Sequence, residues 1–242
     1  MDTIKIDSKG VKMVAHRGLS GLERENTYPA FIAAGNRSYY GIETDVHKTA
    51  DGKFVVIHDE TTDRVSNGKT DIDVEMSKYD VIKEIVLPDL DGSLNRRDIR
   101  IPLLIDYIKI CKRYEKMCVL ELKNAFLKSD IEKMIAQIVA EDYLDGMIFI
   151  SFDINNCIKI REILDSAKIQ WLAGRKPNAA DMKTIKNYRL DLDIHYSALN
   201  KDIVNTLHDL GIEVNCWTCD NKEDAEKLVE MGVDYITTNI LE

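Results

Sequence analysis

Two pairs of charged residues in this chain share a spacing that matters for chemistry, Glu43-Thr44-Asp45 and Glu121-Leu122-Lys123. Both lie in β-branched or apolar segments with the signature of strands, where residues two apart point to the same face. Brought together, the three carboxylates would repel and raise one another's proton affinity unless a cation held them ionised. All-oxygen ligation of this kind suits Mg2+ or Ca2+ far better than zinc. Histidines supply a second ingredient: His16, followed by Arg17 and Gly18, ends one apolar segment, and His58 ends another. Imidazole titrates near neutral pH, so two of them beside a cation can divide acid and base work. A lone Glu-x-Asp pair is commonly a solvated strand end. The weight comes from several strand ends offering complementary charges to one rim.

Short apolar segments alternate with longer segments of helical period, the pattern of βα units around a parallel sheet. Strands are predicted at 11–16, 40–46, 117–123, 147–151, 169–174, 191–195, 212–218 and 234–238. Helices are predicted near 28–36, 102–114, 129–142, 154–167, 179–188, 200–210 and 221–231, with Asp153, Asn200 and Asn221 at N-cap positions and Gly211 and Gly232 at the stops. Eight such strands predict a (β/α)8 barrel, with a doubly wound sheet as the alternative. In a barrel the C-terminal strand ends meet at one mouth. They carry His16-Arg17-Gly18, Glu43 and Asp45, Glu121 and Lys123, Ser151-Phe152, His195 and Trp217. His47 and His208 read as structural histidines, while His195 stays open between structure and site.

Two segments exceed a bare barrel. Ala50-Asp51-Gly52-Lys53 is a turn signal after the second strand, so 54–58 is predicted to return antiparallel as a β-hairpin. A two-residue turn would pair Ala50 with Lys53 and hence set His58 opposite Asp45. Residues 67–100 are polar and turn-rich, an excursion with one short helix near 78–86 and no second hydrophobic core.

The 33 Lys+Arg against 42 Asp+Glu leave a net charge of −9. That balance repels nucleic acid and anionic lipid surfaces at long range, leaving a small anion at a locally cationic site as the fitting partner. The start of the chain is polar and acidic, and no stretch approaches ~18 apolar residues, so the expectation is a cytoplasmic protein without stable membrane association. At 242 residues the chain is expected to form a single domain, 1–242. Five scattered cysteines argue against a disulfide framework. Cys216-Trp217-Thr218-Cys219 has C-x-x-C spacing, but it sits on a strand, where residues three apart face opposite ways. Two buried thiols are the expectation there.

The same residues carry a family resemblance. His16-Arg17-Gly18, Glu25-Asn26-Thr27, Glu43-Thr44-Asp45-Val46, His58-Asp59 with Arg64, Ile101-Pro102, Glu121-Leu122-Lys123, Ser151-Phe152, Trp217-Thr218 and Gly232-Val233-Asp234 follow the order found in glycerophosphodiester phosphodiesterases. The chain resembles that family from about residue 12 to 239. The resemblance implies a phospholipase-C-like phosphodiesterase barrel, a divalent cation and two essential histidines. The expected site then has Glu43, Asp45 and Glu121 as ligands of Mg2+ or Ca2+, and Arg17 and Lys123 on the phosphate oxygens. His16 serves as base and His58 as acid, with Phe152 and Trp217 covering the apolar edge of the glycerol moiety. The products would be sn-glycerol 3-phosphate and an alcohol. Some positions depart from the family pattern: Arg24 replaces a proline, Thr62 a leucine and Asn239 an aspartate, and 88–100 is shortened. The alternatives are a lysophospholipase D-type enzyme on lipid substrates and a non-catalytic barrel that binds a phosphorylated ligand.

Overall fold

The computed structural model describes residues 2–242. Eight parallel strands close into a barrel: β1 (Lys12–Ala15), β2 (Gly41–Lys48), β4 (Met117–Leu122), β5 (Met147–Ser151), β6 (Lys168–Ala173), β7 (Asp191–His195), β8 (Val214–Trp217) and β9 (Tyr235–Thr238). Pairing of β1 with both β2 and β9 completes the ring. The antiparallel strand β3 (Phe54–Val56) extends β2 as a hairpin. Outside lie α1 (Tyr28–Gly35), α3 (Leu104–Arg113), α4 (Lys128–Ala140), α5 (Ile154–Ile163), α6 (Ala179–Tyr188), α7 (Lys201–His208) and α8 (Lys222–Met231), while the short α2 (Tyr79–Ile82) belongs to the excursion. This is the predicted (β/α)8 barrel.

Local chemistry sets the boundaries. Asp153, Asn200 and Asn221 each accept a backbone N–H of the first helical turn, at 2.9, 2.9 and 3.0 Å. Such caps satisfy donors that a helix start leaves without partners. A fourth cap, Asn178 with Asp181 in a reciprocal capping box, opens α6. Along the strands, alternate residues divide between two cores. Ile42, Val46, Leu120, Leu122 and Phe149 face the helices, while Val14, Val119, Ile148, Ile150, Leu172 and Tyr235 fill the barrel interior. Each fully buried side chain of this size contributes about 1.5–3 kcal/mol. Nearer the C-terminal ends the inward positions turn polar, with Glu43, Asp45 and Glu121, and the site begins there.

Two expectations are corrected. The hairpin register is one residue off the expected one: Val46 pairs with Val56 and Lys48 with Phe54. Thr49 N–H donates to Lys53 O at 2.8 Å and the Thr49 hydroxyl accepts from Lys53 N at 2.9 Å, so the loop is Ala50-Asp51-Gly52. Asp45 consequently lies opposite Ile57, whose N–H donates to Asp45 O at 3.1 Å. His58 falls beyond the ladder, at a bend. The excursion also has its own apolar cluster, in which Val55 and Ile57 of the hairpin pack with Val65, Val74, Ile82, Ile85, Leu87, Ile99 and Ile101. Isolated bridges Thr61–Asp73 and Val86–Arg100 gather these residues from a segment with no regular period. That cluster is the floor from which the chain at His58 bends back over the barrel mouth.

Candidate active site

Glu43 and Asp45 from β2 and Glu121 from β4 are 3%, 1% and 7% exposed. Each offers an oxygen within 4.8 Å of the others. Asp45 and Glu121 face each other in register across β2 and β4, which is why the two strand pairs converge. Two cations stand beside them. Lys123 Nζ is 2.9 Å from Glu121 Oε1 and 3.4 Å from Asp45 Oδ1. Arg17 Nε is 3.4 Å from Asp45 Oδ2, and Arg17 N–H donates to Glu43 Oε2 at 2.7 Å. Asn26, held by the Thr44 hydroxyl at 2.7 Å, donates to Asp45 Oδ2 at 2.8 Å.

The three carboxyls differ in protonation. Burial, reinforced by the charge of Asp45, pushes Glu43 well above the usual carboxylate range, and the same causes push Glu121 up to about 7. Burial acts on Asp45 as well, but Lys123 and Arg17 outweigh it and hold Asp45 below the usual range. Asp45 Oδ1 and Glu121 Oε1 are buried, with only the Lys123 ammonium close by and no hydrogen bond of good geometry. A hard divalent cation fits this set of three clustered carboxylates, because it would ligate their oxygens and offset the crowding of negative charge.

His16 follows β1 and is bound through Nδ1 to Asn239 Oδ1 at 2.8 Å. The amide of Asn239 has a defined orientation, since its Nδ2 donates to Asp220 Oδ2 at 2.6 Å and its Oδ1 also accepts from Ser20 at 2.6 Å. An acceptor at that point requires His16 to carry its proton on Nδ1, leaving Nε2 as a lone pair. Burial, then the charge of Arg17, lowers His16 to about 4, so it is neutral at pH 7. Gly18 permits this turn: its φ is +76°, and a Cβ there would lie 2.7 Å from the Ala30 backbone.

His58, at the bend just after the hairpin strand β3, reaches the same pocket. Its Nδ1 is 2.5 Å from Asp59 Oδ1. Arg64 grips Asp59 through Nε at 2.6 Å and Glu25 through both terminal nitrogens at 2.8 Å, and Glu25 in turn accepts from Arg17 at 2.9 Å. One chain of charge-assisted bonds thus joins His58 to the arginine beside the carboxylates. Burial raises Asp59 and Glu25, yet their arginine partners bring both down to about 2.

Phe152 and Trp217 form the opposite wall, edge to face with centroids 5.5 Å apart. Phe152 is 47% exposed. His195 packs edge-on against Trp217 at 5.2 Å and engages Ser197 through Nδ1, so it belongs to this aromatic wall. A cavity of about 100 Å³ runs between the walls, lined by His16, Arg17, Glu43, His58, Glu121 and Trp217 among others. His47 lies outside that cavity, its Nε2 3.2 Å from His58 O, and His208 is bound to Asp234 at 2.9 Å. Cys216 and Cys219 are buried thiols. Every residue expected in the site therefore lines the mouth or touches a residue that does. Asn26, Glu25, Asp59, Arg64, Asp220 and Asn239, which carried no expected role, hold the others in place. Four of these six lie in the recognised motifs, and Asn239 was visible as a departure.

A TIM-type barrel with buried carboxylates, two cations and two histidines gathered at its mouth has the make-up of a barrel phosphodiesterase. The model of the glycerophosphoryl diester phosphodiesterase family matches residues 16–242. YhdW of Bacillus subtilis (strain 168) is 30% identical over 239 residues, spanning 94% of this chain and 93% of its own. A glycerophosphodiester phosphodiesterase of Caldanaerobacter subterraneus subsp. tengcongensis is 29% identical over 231 residues, with 94% and 93% covered. Among solved structures, a glycerophosphodiester phosphodiesterase from Parabacteroides distasonis ATCC 8503 has a TM-score of 0.77 at 26% identity, covering 99% of this chain and 94% of that one. An Oleispira antarctica phosphodiesterase, solved with the product sn-glycerol-3-phosphate, shares the fold at a TM-score of 0.79 and 22% identity, with 96% and 94% covered. The chain belongs to the glycerophosphoryl diester phosphodiesterase family and is an enzyme of that class. Among the described residues no helix is long and apolar enough to cross a membrane.

Proposed function

We propose that the barrel, acting as one domain, hydrolyses glycerophosphodiesters to sn-glycerol 3-phosphate and an alcohol with the help of Mg2+ or Ca2+. The observation that carries this reading is the placement of His16 and His58 on one cavity with Glu43 and Glu121. Glu43, Asp45 and Glu121 would hold the cation, which when bound supplies charge stabilisation to the phosphate oxygens. Arg17 and Lys123 add positive charge beside it. His16, neutral with an open Nε2, takes the proton of the glycerol hydroxyl next to the phosphoester. That oxygen attacks phosphorus, and the alcohol oxygen leaves with a proton from His58 Nε2, giving a cyclic glycerol phosphate. Water opens the ring with the two histidines in reversed roles. Burial, joined by the charges of Arg17 and Lys123, lowers the proton affinity of His58, and Asp45 and Asp59 act against that; by stabilising the imidazolium form, Asp59 favours the service of His58 as the acid. Phe152 and Trp217 cover the apolar edge of the glycerol. Turnover of glycerophosphocholine tests the assignment: His16→Ala and His58→Ala should each lower kcat by about 10² or more. A change below fivefold at either removes that histidine from the mechanism.

A second reading keeps the chemistry and changes the alcohol to a lysophospholipid. Leu90 and Leu94 on the shortened segment are exposed and could meet an acyl chain. Faster cleavage of lysophosphatidylcholine than of glycerophosphocholine would favour it.

A further inference from the structure

Of the carboxyls lining the active-site cavity, the proposed mechanism leaves one, Asp193, without work. Asp193 points inward from the middle of β7, is 2% exposed and lines the active-site cavity. Its inward polar neighbours are paired with each other: Asn215 Nδ2 donates to Gln170 Oε1 at 3.0 Å, and the Thr237 hydroxyl donates to Asn215 Oδ1 at 3.3 Å. Asp193 stands beside Asn215 in the β7–β8 register yet takes no part. Its Oδ1 is buried without a hydrogen-bond partner, and so is Trp217 Nε1, one inward position higher on β8. Buried polar atoms are nearly always bonded, so two orphans on one wall of a ligand cavity point to a bound group. Burial favours the neutral form of this carboxyl, and a neutral carboxyl both donates and accepts, as a hydroxyl does.

The ring order places β7 four strands from β2, on the far side of the barrel from Glu43 and Asp45. A glycerophosphodiester whose phosphate lies on the β2–β4 side directs the rest of its glycerol across the cavity. We propose that Asp193 binds the terminal, non-reacting hydroxyl of the glycerol moiety and makes the site selective for a diester whose diol carries that hydroxyl. This assignment rests on the function proposed above and adds a specificity residue to it. A buried group that loses its partner discriminates more sharply than an apolar pocket can, because the analogue leaves that group unpaired.

The test compares glycerophosphoethanolamine with the corresponding propane-1,2-diol diester, which keeps the hydroxyl beside the phosphoester and lacks the terminal one. Wild-type enzyme should prefer the glycerol diester by at least about 100-fold in kcat/KM. Asp193→Leu should collapse that preference toward unity by losing the glycerol diester alone, and Asp193→Asn, which keeps a donor and an acceptor, should retain most of it. Equal use of both diesters by the wild type overturns the proposal without the need of any variant. A preference that survives in Asp193→Leu also overturns it, and assigns the carboxyl to ordered water instead. Wild-type protein that cleaves neither diester refutes the function proposed above, which is a separate and recognisable result.

Discussion

Replacing Asp59 by asparagine keeps the shape of the His58 partner and removes its charge. In the native protein Asp59 accepts from His58 Nδ1 at 2.5 Å and from Arg64 at 2.6 and 3.1 Å, so His58 meets a carboxylate fixed from behind. A hydrogen bond to a charged group is worth about 1.5–3 kcal/mol, against about 1 kcal/mol for a neutral one. The difference, about 0.5–2 kcal/mol, falls on the protonated form of His58, which is the form that delivers a proton. At about 1.4 kcal/mol per decade, kcat at pH 7 should drop roughly 2- to 30-fold if the ring stays in place. An asparagine turned with its amide toward Nδ1 would also impose the wrong tautomer, extending the loss to about 10³ or more. The pH profile separates this from simple misfolding. Loss of the carboxylate lowers the proton affinity of His58, so the high-pH limb of kcat should move to lower pH while thermal stability changes little. A variant with wild-type kcat and an unmoved limb would refute the role given to Asp59 and, through it, the assignment of His58 as acid.

Two further outcomes are expected. The Glu43→Gln/Asp45→Asn variant, deprived of two anionic donors, should bind Mg2+ or Ca2+ at least about 100-fold more weakly by calorimetry while remaining folded; unchanged affinity would move the cation elsewhere. Burial raises Asp191 to about 6, with opposition from the Glu213 N–H and support from the charges of Glu213 and Asp234. Its folded-state proton affinity therefore exceeds the unfolded one. Stability should be lost as pH climbs from about 4 to about 6, by about 1–3 kcal/mol, and Asp191→Asn should remove that slope in denaturant titrations. A slope that persists in the variant belongs to another group.

Much of this site was legible because strands have a two-residue period. Glu43, Asp45, Glu121 and Lys123 announce a shared face by spacing alone, and a parallel barrel then dictates which ends meet. His58 illustrates the other case. Its expected position rested on a two-residue turn, whereas the Thr49 side chain closes a three-residue loop and slips the register, so His58 lies off the strand. It still arrives at the cavity, because the excursion has a core that bends the chain there. That core was hidden in the sequence, since Val65, Val74, Ile82 and Ile99 follow no helical or strand period. The bracing of Glu25 by Arg64 and of Asn239 by Asp220 was hidden for a related reason. These contacts join loops far apart in the chain, and only the closed barrel brings them together. Asn239 stands out in the sequence only as a departure from the aspartate of the family pattern. With Asp220 fixing its amide, it still presents an oxygen to His16.

In the proposed function, three carboxylates and two histidines at one barrel mouth perform cation-assisted cleavage of a glycerophosphodiester. Product analysis of glycerophosphocholine digests, in Mg2+, in Ca2+ and in excess EDTA, tests it most directly. sn-Glycerol 3-phosphate and choline should form with at least one cation, and almost none should form with the chelator. Full turnover in EDTA, or release of phosphocholine and glycerol instead, would contradict it.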